Sequence, residues 1–424
     1  YPDRTVHTGL LEYKNVYRPA RVISYDKESG ELVLHNYMDF DDLKDYVKIS
    51  YELTQDGLVI SKDILSEFSV VPHGEGKTNL KISVPENGKC YLKLIYHLKK
   101  ELPLLDEDHI LGFDEIEVSK DDAKCKLAEK WMQKTAVDSE LQVNENDTQI
   151  HIKGREFAYT IDKRTALFTE MKFAGREYLN HPMELNIWRA PTDNDMYIKA
   201  EWKKAHYDKA YTRAYTTEVV QGKHGVKITS HASVVAETVQ KILDVTITWK
   251  IEAAGKIDAD IAVTKDDEFP DLPRFGVRMF LDKKLSAVRY FGMGPQESYC
   301  DKHQAASHGL YQANVDDLHE DYIRPQENGS HYDCEYVELN NSRYGIVASA
   351  EKAFSFNASY YTQEELEKKT HNYELTESDS VVFCVDYALN GIGSNSCGPV
   401  VLEQYRFDDV LFRFQFTLMP YVKG

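Results

Sequence analysis

"KILDVTITWKIEAAGKIDADIAVT", residues 241–264, decides the fold. Two runs alternate apolar and polar residues at period two, and Gly255 lies between them. Such a pattern predicts two half-buried strands joined in an antiparallel hairpin. Similar runs continue on both sides: "TQIHIKG" (148–154), "EFAYTID" (156–162), "GVKITSHASVV" (225–235), "RFGVRMFL" (274–281), "GIVASA" (345–350), "AFSFNAS" (353–359), "SVVFCVDYAL" (380–389) and "VLFRFQFTL" (410–418). Helices are expected only near 199–207 and 363–369. Strands do not alternate with helices, so no parallel barrel can be built from this chain. Residues 137–424 are therefore expected to form one large antiparallel sandwich.

Upstream, the first 118 residues read as hairpins. "ARVISYDKESGELVLHNY" (20–37) turns at Gly30, and "YVKISYELTQDGLVISKDI" (46–64) turns at Asp56-Gly57, a strong hairpin signal. "NLKISVPENGKCYLKLIYHL" (79–98) repeats the scheme, with Leu80, Ile82 and Val84 facing Leu92, Leu94, Tyr96 and Leu98. These short strands predict a small β-sandwich. Residues 119–136 change character: Ala123, Leu127 and Trp131 recur every four residues, which predicts a short amphipathic helix serving as a linker.

The chain has 424 residues, 42% hydrophobic and 29% charged, a globular composition of two or three domains. A formal charge of -19 excludes a basic footprint for nucleic acid and disfavours anionic membranes. No run is long and apolar enough for a transmembrane helix. The six cysteines show no CxxC spacing, which favours free thiols in a reducing, cytoplasmic setting and argues against a metal site. The opening "YPDRTVHTGL" has neither an initiator Met nor a signal peptide, so the sequence is expected to be a piece of a longer protein.

Polar chemistry concentrates in four loops of the second domain. "WRAPTDND" (188–195) supplies Arg189, Asp193, Asn194 and Asp195. "GMGPQESYCD" (292–301) supplies Gln296, Glu297, Tyr299 and Asp301. "RPQENGSHYD" (324–333) supplies Arg324, Gln326, Glu327 and His331. "NGIGSNSCGP" (390–399) supplies a Gly-rich turn with Asn395, Ser396 and Cys397. Planar polar side chains beside aromatic rings suit hydroxyl-rich ligands such as sugars. The same residues could equally serve the loops themselves. Asp193 and Asp195 could close a turn after Pro191, Glu297 could pair with Arg189, Arg324 with Glu327, and Gly391 and Gly393 could supply positive φ. No GxSxG, HExxH or P-loop pattern appears, and 70 acidic residues make a catalytic carboxylate pair impossible to pick from sequence.

At these loops the sequence resembles the C-terminal portion of the large β-galactosidases of glycoside hydrolase family 2. "YPDRTVHTGLLEYKNVYRPARV" (1–22) is similar to the family's exit from its catalytic barrel, and the motifs "LNIWRAPTDND", "FGMGPQESYCDK", "YIRPQENGSHYD", "FSFNASYYTQEEL" and "GIGSNSCGP" are similar to those of its final domain. The resemblance implies an all-β chain: an immunoglobulin-like sandwich (1–118, family domain four), a linker (119–136) and a β-supersandwich of galactose mutarotase-like type (137–424, domain five). It also implies that the acid/base and nucleophile glutamates, with magnesium and sodium, belong to a barrel preceding this chain, leaving no catalytic residue, metal or cofactor here. The full enzyme would be a retaining exo-glycosidase of terminal β-galactosides such as lactose. This part would meet the protein's own N-terminal and barrel domains, and the whole would be a homo-oligomer. In well-known members the loop matching "GIGSNSCGP" brings a tryptophan to the sugar; here Cys397 takes that place in a loop one residue shorter. A second implied reading is a stand-alone carbohydrate-binding or mutarotase-like module, with His331 as general acid and Glu297 or Glu327 as base.

Overall fold

The computed structural model describes residues 1–120, 122–133 and 141–423. The all-β expectation holds: a smaller sandwich is followed by a large antiparallel supersandwich. By contacts the chain forms two units. The first comprises residues 1–127 with 293–296 and 303–311, and the second comprises the remainder.

In the first unit, α1 (Thr8–Val16) leads into a three-stranded sheet of β1 (Ala20–Tyr25), β2 (Glu31–Asn36) and β5 (Glu75–Asn79), with β2 central. Between these strands come α2 (Leu43–Tyr46), β3 (Val47–Gln55) and β4 (Leu58–Ile64). The second sheet runs β4-β3-β6-β7, with β6 at Cys90–Leu98 and β7 at Ile110–Glu117. Leu32 and Leu34 of one sheet join Ile49, Leu53, Leu92 and Leu94 of the other in a single buried cluster, which makes the pair a sandwich. The expected turn at Asp56-Gly57 closes β3 onto β4 with both residues at positive φ, +50° and +79°, as a two-residue hairpin requires.

The third expected hairpin does not form. β5 ends at Asn79, residues 80–84 carry no strand, and β6 is already paired on its two sides by β3 and β7. Leu80, Ile82 and Val84 still pack on the core, so the period-two pattern recorded burial and not pairing. The helix expected within 119–136 is α3 (Lys126–Met132), shorter than that stretch; residues 121 and 134–136 lie outside the described residues.

The second unit opens with a five-stranded sheet in the order β12-β11-β10-β9-β8. These strands are β8 (Gln142–Glu145), β9 (Gln149–Lys153), β10 (Phe157–Asp162), β11 (Leu167–Phe173) and β12 (Arg176–Glu177). The main sheet contains β13 (Leu179–Asn186), β14 (Tyr211–Gly222), β15 (Gly225–Val235), β16 (Leu243–Glu252), β17 (Ile257–Lys265) and β18 (Arg274–Asp282). Later come β19 (Ala287–Gly294), β20 (Ser307–Asn314, whose residues divide between the units), β21 (Ser330–Asn340), β22 (Tyr344–Ser359), β23 (Ser380–Leu389) and β24 (Leu411–Val422). The main order is β13-β18-β23-β22-β24-β17-β16-β15-β14. The two expected helices are present as α4 (Ile198–Lys204) and α5 (Gln363–Lys368).

The deciding stretch is β16 and β17, paired from Leu243↔Lys265 to Ile251↔Ile257 around Gly255 at φ +89°. Its buried face carries Trp249, whose ring meets Phe168 of β11 at 4.9 Å and Phe416 of β24 at 6.4 Å, both edge to face. Such contacts contribute about 0.5–1.5 kcal/mol each beyond burial. The contact with Phe168 ties the five-stranded sheet to the main one. β18 and β23 are interior strands, second and third from the β13 end of the main order, and are buried on both faces over most of their length. That burial is what traps charged residues beneath the loops. Among the described residues, no helix is long and apolar enough to cross a membrane.

Candidate functional site

The loops at 188–195, 297–302, 326–331 and 390–397 meet in the second unit through buried charge. Arg189 is fully buried and grips Asp195 twice, Nε to Oδ2 at 3.1 Å and Nη2 to Oδ1 at 2.7 Å. Its remaining donors reach across to the fourth loop, Nη1 to the Asn390 carbonyl at 2.5 Å and Nη2 to the Gly391 carbonyl at 3.1 Å. Asp195 also accepts from the backbone N–H and hydroxyl of Thr192, closing the turn over 193–195. The sequence suggested that Asp195 closes a turn and that Arg189 pairs with Glu297; Asp195 does close the turn, but it also takes Arg189, and Glu297 pairs with Lys302 instead.

A second guanidinium lies beneath. Arg274, at the start of β18, holds Asp386 of β23 through two hydrogen bonds (3.2 and 2.5 Å) and Glu327 through one at 2.9 Å. Burial pushes the carboxyls of Glu327 and Asp386 up, and Arg274 opposes that rise at both. The Glu327 backbone N–H donates to the Ala190 carbonyl at 2.9 Å, so the third loop is stitched to the first. Arg324 is exposed, and the ion pair of Glu327 is with Arg274.

Glu297 is the fourth buried carboxylate of the cluster. Burial pushes it up, but Lys302 at 2.6 Å, the Tyr322 hydroxyl at 2.5 Å and the Gly329 N–H at 2.9 Å hold it below the ordinary carboxylate range. His331 is buried, with Nδ1 3.1 Å from the Gly329 carbonyl, its ring stacked on Phe356 and edge-on to Tyr290. The two carboxylates considered as its basic partner are thus already bound to cations.

The fourth loop is anchored from three directions. Asp301 accepts from the N–H of Ile392 at 2.9 Å and of Gly393 at 2.7 Å. Asn194 donates to the Gly393 carbonyl at 2.7 Å and accepts from the Ser396 hydroxyl at 2.8 Å, while Arg189 holds the carbonyls already named. Gly393 has positive φ (+65°); Gly391 does not, and is glycine because a Cβ there would sit 2.8 Å from the Asp301 carboxylate. Cys397 lies beyond these anchors and is exposed; Ser396 is also exposed though bound to Asn194, and Asn395 is half-buried.

Asp193 is exposed, and its N–H donates to the Gln326 side chain at 2.9 Å. Gln296 is half-buried and groups with the first unit, with its Oε1 unpartnered. The charged core of the cluster includes two residues that sequence reasoning passed over, Arg274 and Asp386. Their signal was a charge at the edge or inside of an apolar strand run, "RFGVRMFL" and "VVFCVDYAL". Among the described residues no group of three or more His, Cys, Asp or Glu side chains could hold a metal ion. The arrangement offers neutralised carboxylates and tied-down loops, with a polar tip at 395–397.

Comparison with known proteins gives consistent findings. A family model described as β-galactosidase small chain matches residues 153–418, and one described as β-galactosidase domain 4 matches 32–119. A β-galactosidase of Actinobacillus pleuropneumoniae is 42% identical over 420 residues, covering 99% of this chain and 40% of that protein. A β-galactosidase of Staphylococcus xylosus is 31% identical over 421 residues, covering 99% and 41%. The chain therefore spans about two fifths of the length of these relatives. Among solved structures, a galactose 1-epimerase from Lactobacillus acidophilus NCFM aligns with a TM-score of 0.38 at 8% identity, over 68% of this chain and 100% of that one.

Proposed function

The chain belongs to the β-galactosidase small-chain family, and from that premise we propose that it is the non-catalytic, site-shaping part of a β-galactosidase. The whole protein would hydrolyse terminal non-reducing β-D-galactosides with retention. Its two catalytic glutamates, and the magnesium and sodium that serve them, would lie in a barrel outside this sequence. This part would present the loop 395–397 toward the galactoside and contribute to a homo-oligomer.

One observation carries the reading. A retaining glycosidase needs one carboxyl free to attack and a second, protonated one roughly 5–5.5 Å away. In the loop cluster the carboxylates are instead committed: Asp195 to Arg189, Glu327 and Asp386 to Arg274, and Glu297 to Lys302. A buried carboxylate held by a guanidinium is a structural tie, because freeing it for chemistry would strand the cation. The fourth loop, by contrast, is tied as far as Ser396, which Asn194 holds, and is exposed at Cys397, the geometry of a contact element.

The purified chain should show no turnover of a chromogenic β-galactoside. Activity that survives purification and is abolished by an acidic-to-amide substitution within this chain would overturn the assignment.

A further inference from the structure

The second unit carries an open cavity of about 750 Å³ whose lining takes Tyr299, Cys300, Ser330, Tyr332 and Asp333 from the second and third loops, while the buried carboxylate–cation pairs described above stay outside it. Its walls come from the strands of the main sheet and from residues 404–409, and its size falls within the roughly 300–1,000 Å³ usual for small-molecule sites. Three features give it a chemical character.

The first is a break in the sheet. Along β21 and β22 the register shifts between His331 and Cys334, and again between Cys334 and Tyr336. Within that break Asp333 adopts φ +54°, a left-handed conformation unusual for a residue with a side chain. Bulges of this kind re-aim side chains and end regular pairing, and they concentrate beside binding sites. Here the displaced residues Tyr332 and Asp333 both line the cavity.

The second is the aromatic wall. Tyr332, Tyr387 and Tyr405 line the cavity and are each half-buried. A tyrosine offers a flat apolar face and a hydroxyl that donates and accepts. Tyr387 is held in place by stacking on Phe412 at 4.8 Å, so its orientation is fixed before any ligand arrives.

The third is charge balance. Among the described residues five carboxylates and four cations line the space. Arg413 is spent on Asp260, with Nε 2.6 Å from Oδ1, and Arg406 Nε is bound to the Val401 carbonyl at 3.0 Å. Such a nearly balanced lining lacks the positive surplus that would recognise a phosphate.

We propose that this cavity is a binding site for a neutral saccharide, a single pyranose or a disaccharide. The rings of Tyr332, Tyr387 and Tyr405 pack on the sugar's C–H faces, and Asp333, Gln404 and Asp409 hydrogen-bond its hydroxyls. It binds without cleaving, and the inference does not depend on the galactosidase reading, because it follows from the cavity lining alone.

Calorimetric titration of the whole chain with galactose, lactose, glucose and galactose 6-phosphate tests it. At least one neutral sugar should bind saturably, and Tyr405→Ala should weaken that binding roughly fivefold or more, the loss of one stacking face. Gln404→Ala, a change at an exposed side chain, should also weaken it without moving the thermal midpoint. That second variant decides the matter if Tyr405→Ala fails to fold. The proposal is overturned by no saturable binding of any neutral sugar at tens of millimolar. It is equally overturned by unchanged affinity in the folded variants, or by preference for the phosphorylated sugar.

Discussion

Arg189 and Asp195 form a two-point ion pair with both side chains almost wholly shielded from water, 0% and 3% exposed. The pair lies at the junction of the first and fourth loops, and its other hydrogen bonds hold the Asn390 and Gly391 carbonyls. Removing one partner leaves the other charge buried and alone. Arg189→Met should therefore lose about 3–5 kcal/mol of unfolding free energy. Urea unfolding followed by tryptophan fluorescence measures this, and a loss below 1 kcal/mol would mean that water reaches Asp195 in the native state.

The depressed carboxyl of Glu297 predicts a pH dependence of definite sign. Its folded-state value lies below the ordinary 4.5, so its ionised form stabilises the fold. That contribution is complete above the unfolded value and disappears as pH falls through the lowered folded value. The stability gap between wild type and Glu297→Gln should thus be widest near neutrality and shrink on acidification below about 4.5. Paired urea titrations across that range check it, and a gap that widens in acid would contradict the sign.

Asp301 should act as a latch on the fourth loop. Asp301→Ala removes the acceptor of two backbone N–H groups, at Ile392 and Gly393, a loss of about 1–3 kcal/mol that is expected to be local. Amide exchange at those two residues should accelerate while the strands remain protected. The same variant offers a thiol readout. Cys397 is exposed and should label readily in the native protein, whereas Cys384 is buried and its thiol is pushed up to about 12, so it should label only on unfolding. Equal labelling rates for the two would refute the placement of the loop tip.

Much of the fold was legible because the strand signal is local. The hairpins 20–36, 47–64 and 243–265 each combine period-two alternation with a turn of the right residue types, and nothing distant is needed to read them. Residues 79–98 misled for an identifiable reason: alternation reports which side is buried, but pairing depends on whether an edge is free, and both edges of β6 were taken. Helix α1 carried no inward apolar stripe to detect, since Leu10 and Tyr13 are both more than half exposed. The loop residues were visible as residue types. Their partners were not, because Arg189 meets Asn390 across 201 positions and Arg274 meets Asp386 across 112.

The first unit is not continuous along the chain, and this sets an order of events during synthesis. Glu12 accepts from the backbone N–H groups of Gln304 and Ala305, 292 and 293 residues later, and Glu115 holds His308 from 193 residues away. A ribosome therefore finishes the two sheets of this sandwich long before it makes the segment that completes their packing. Closing contacts of such separation costs chain entropy and slows folding. Until residue 311 emerges, the nascent sandwich must wait with part of its surface uncovered, a window in which a chaperone would find it.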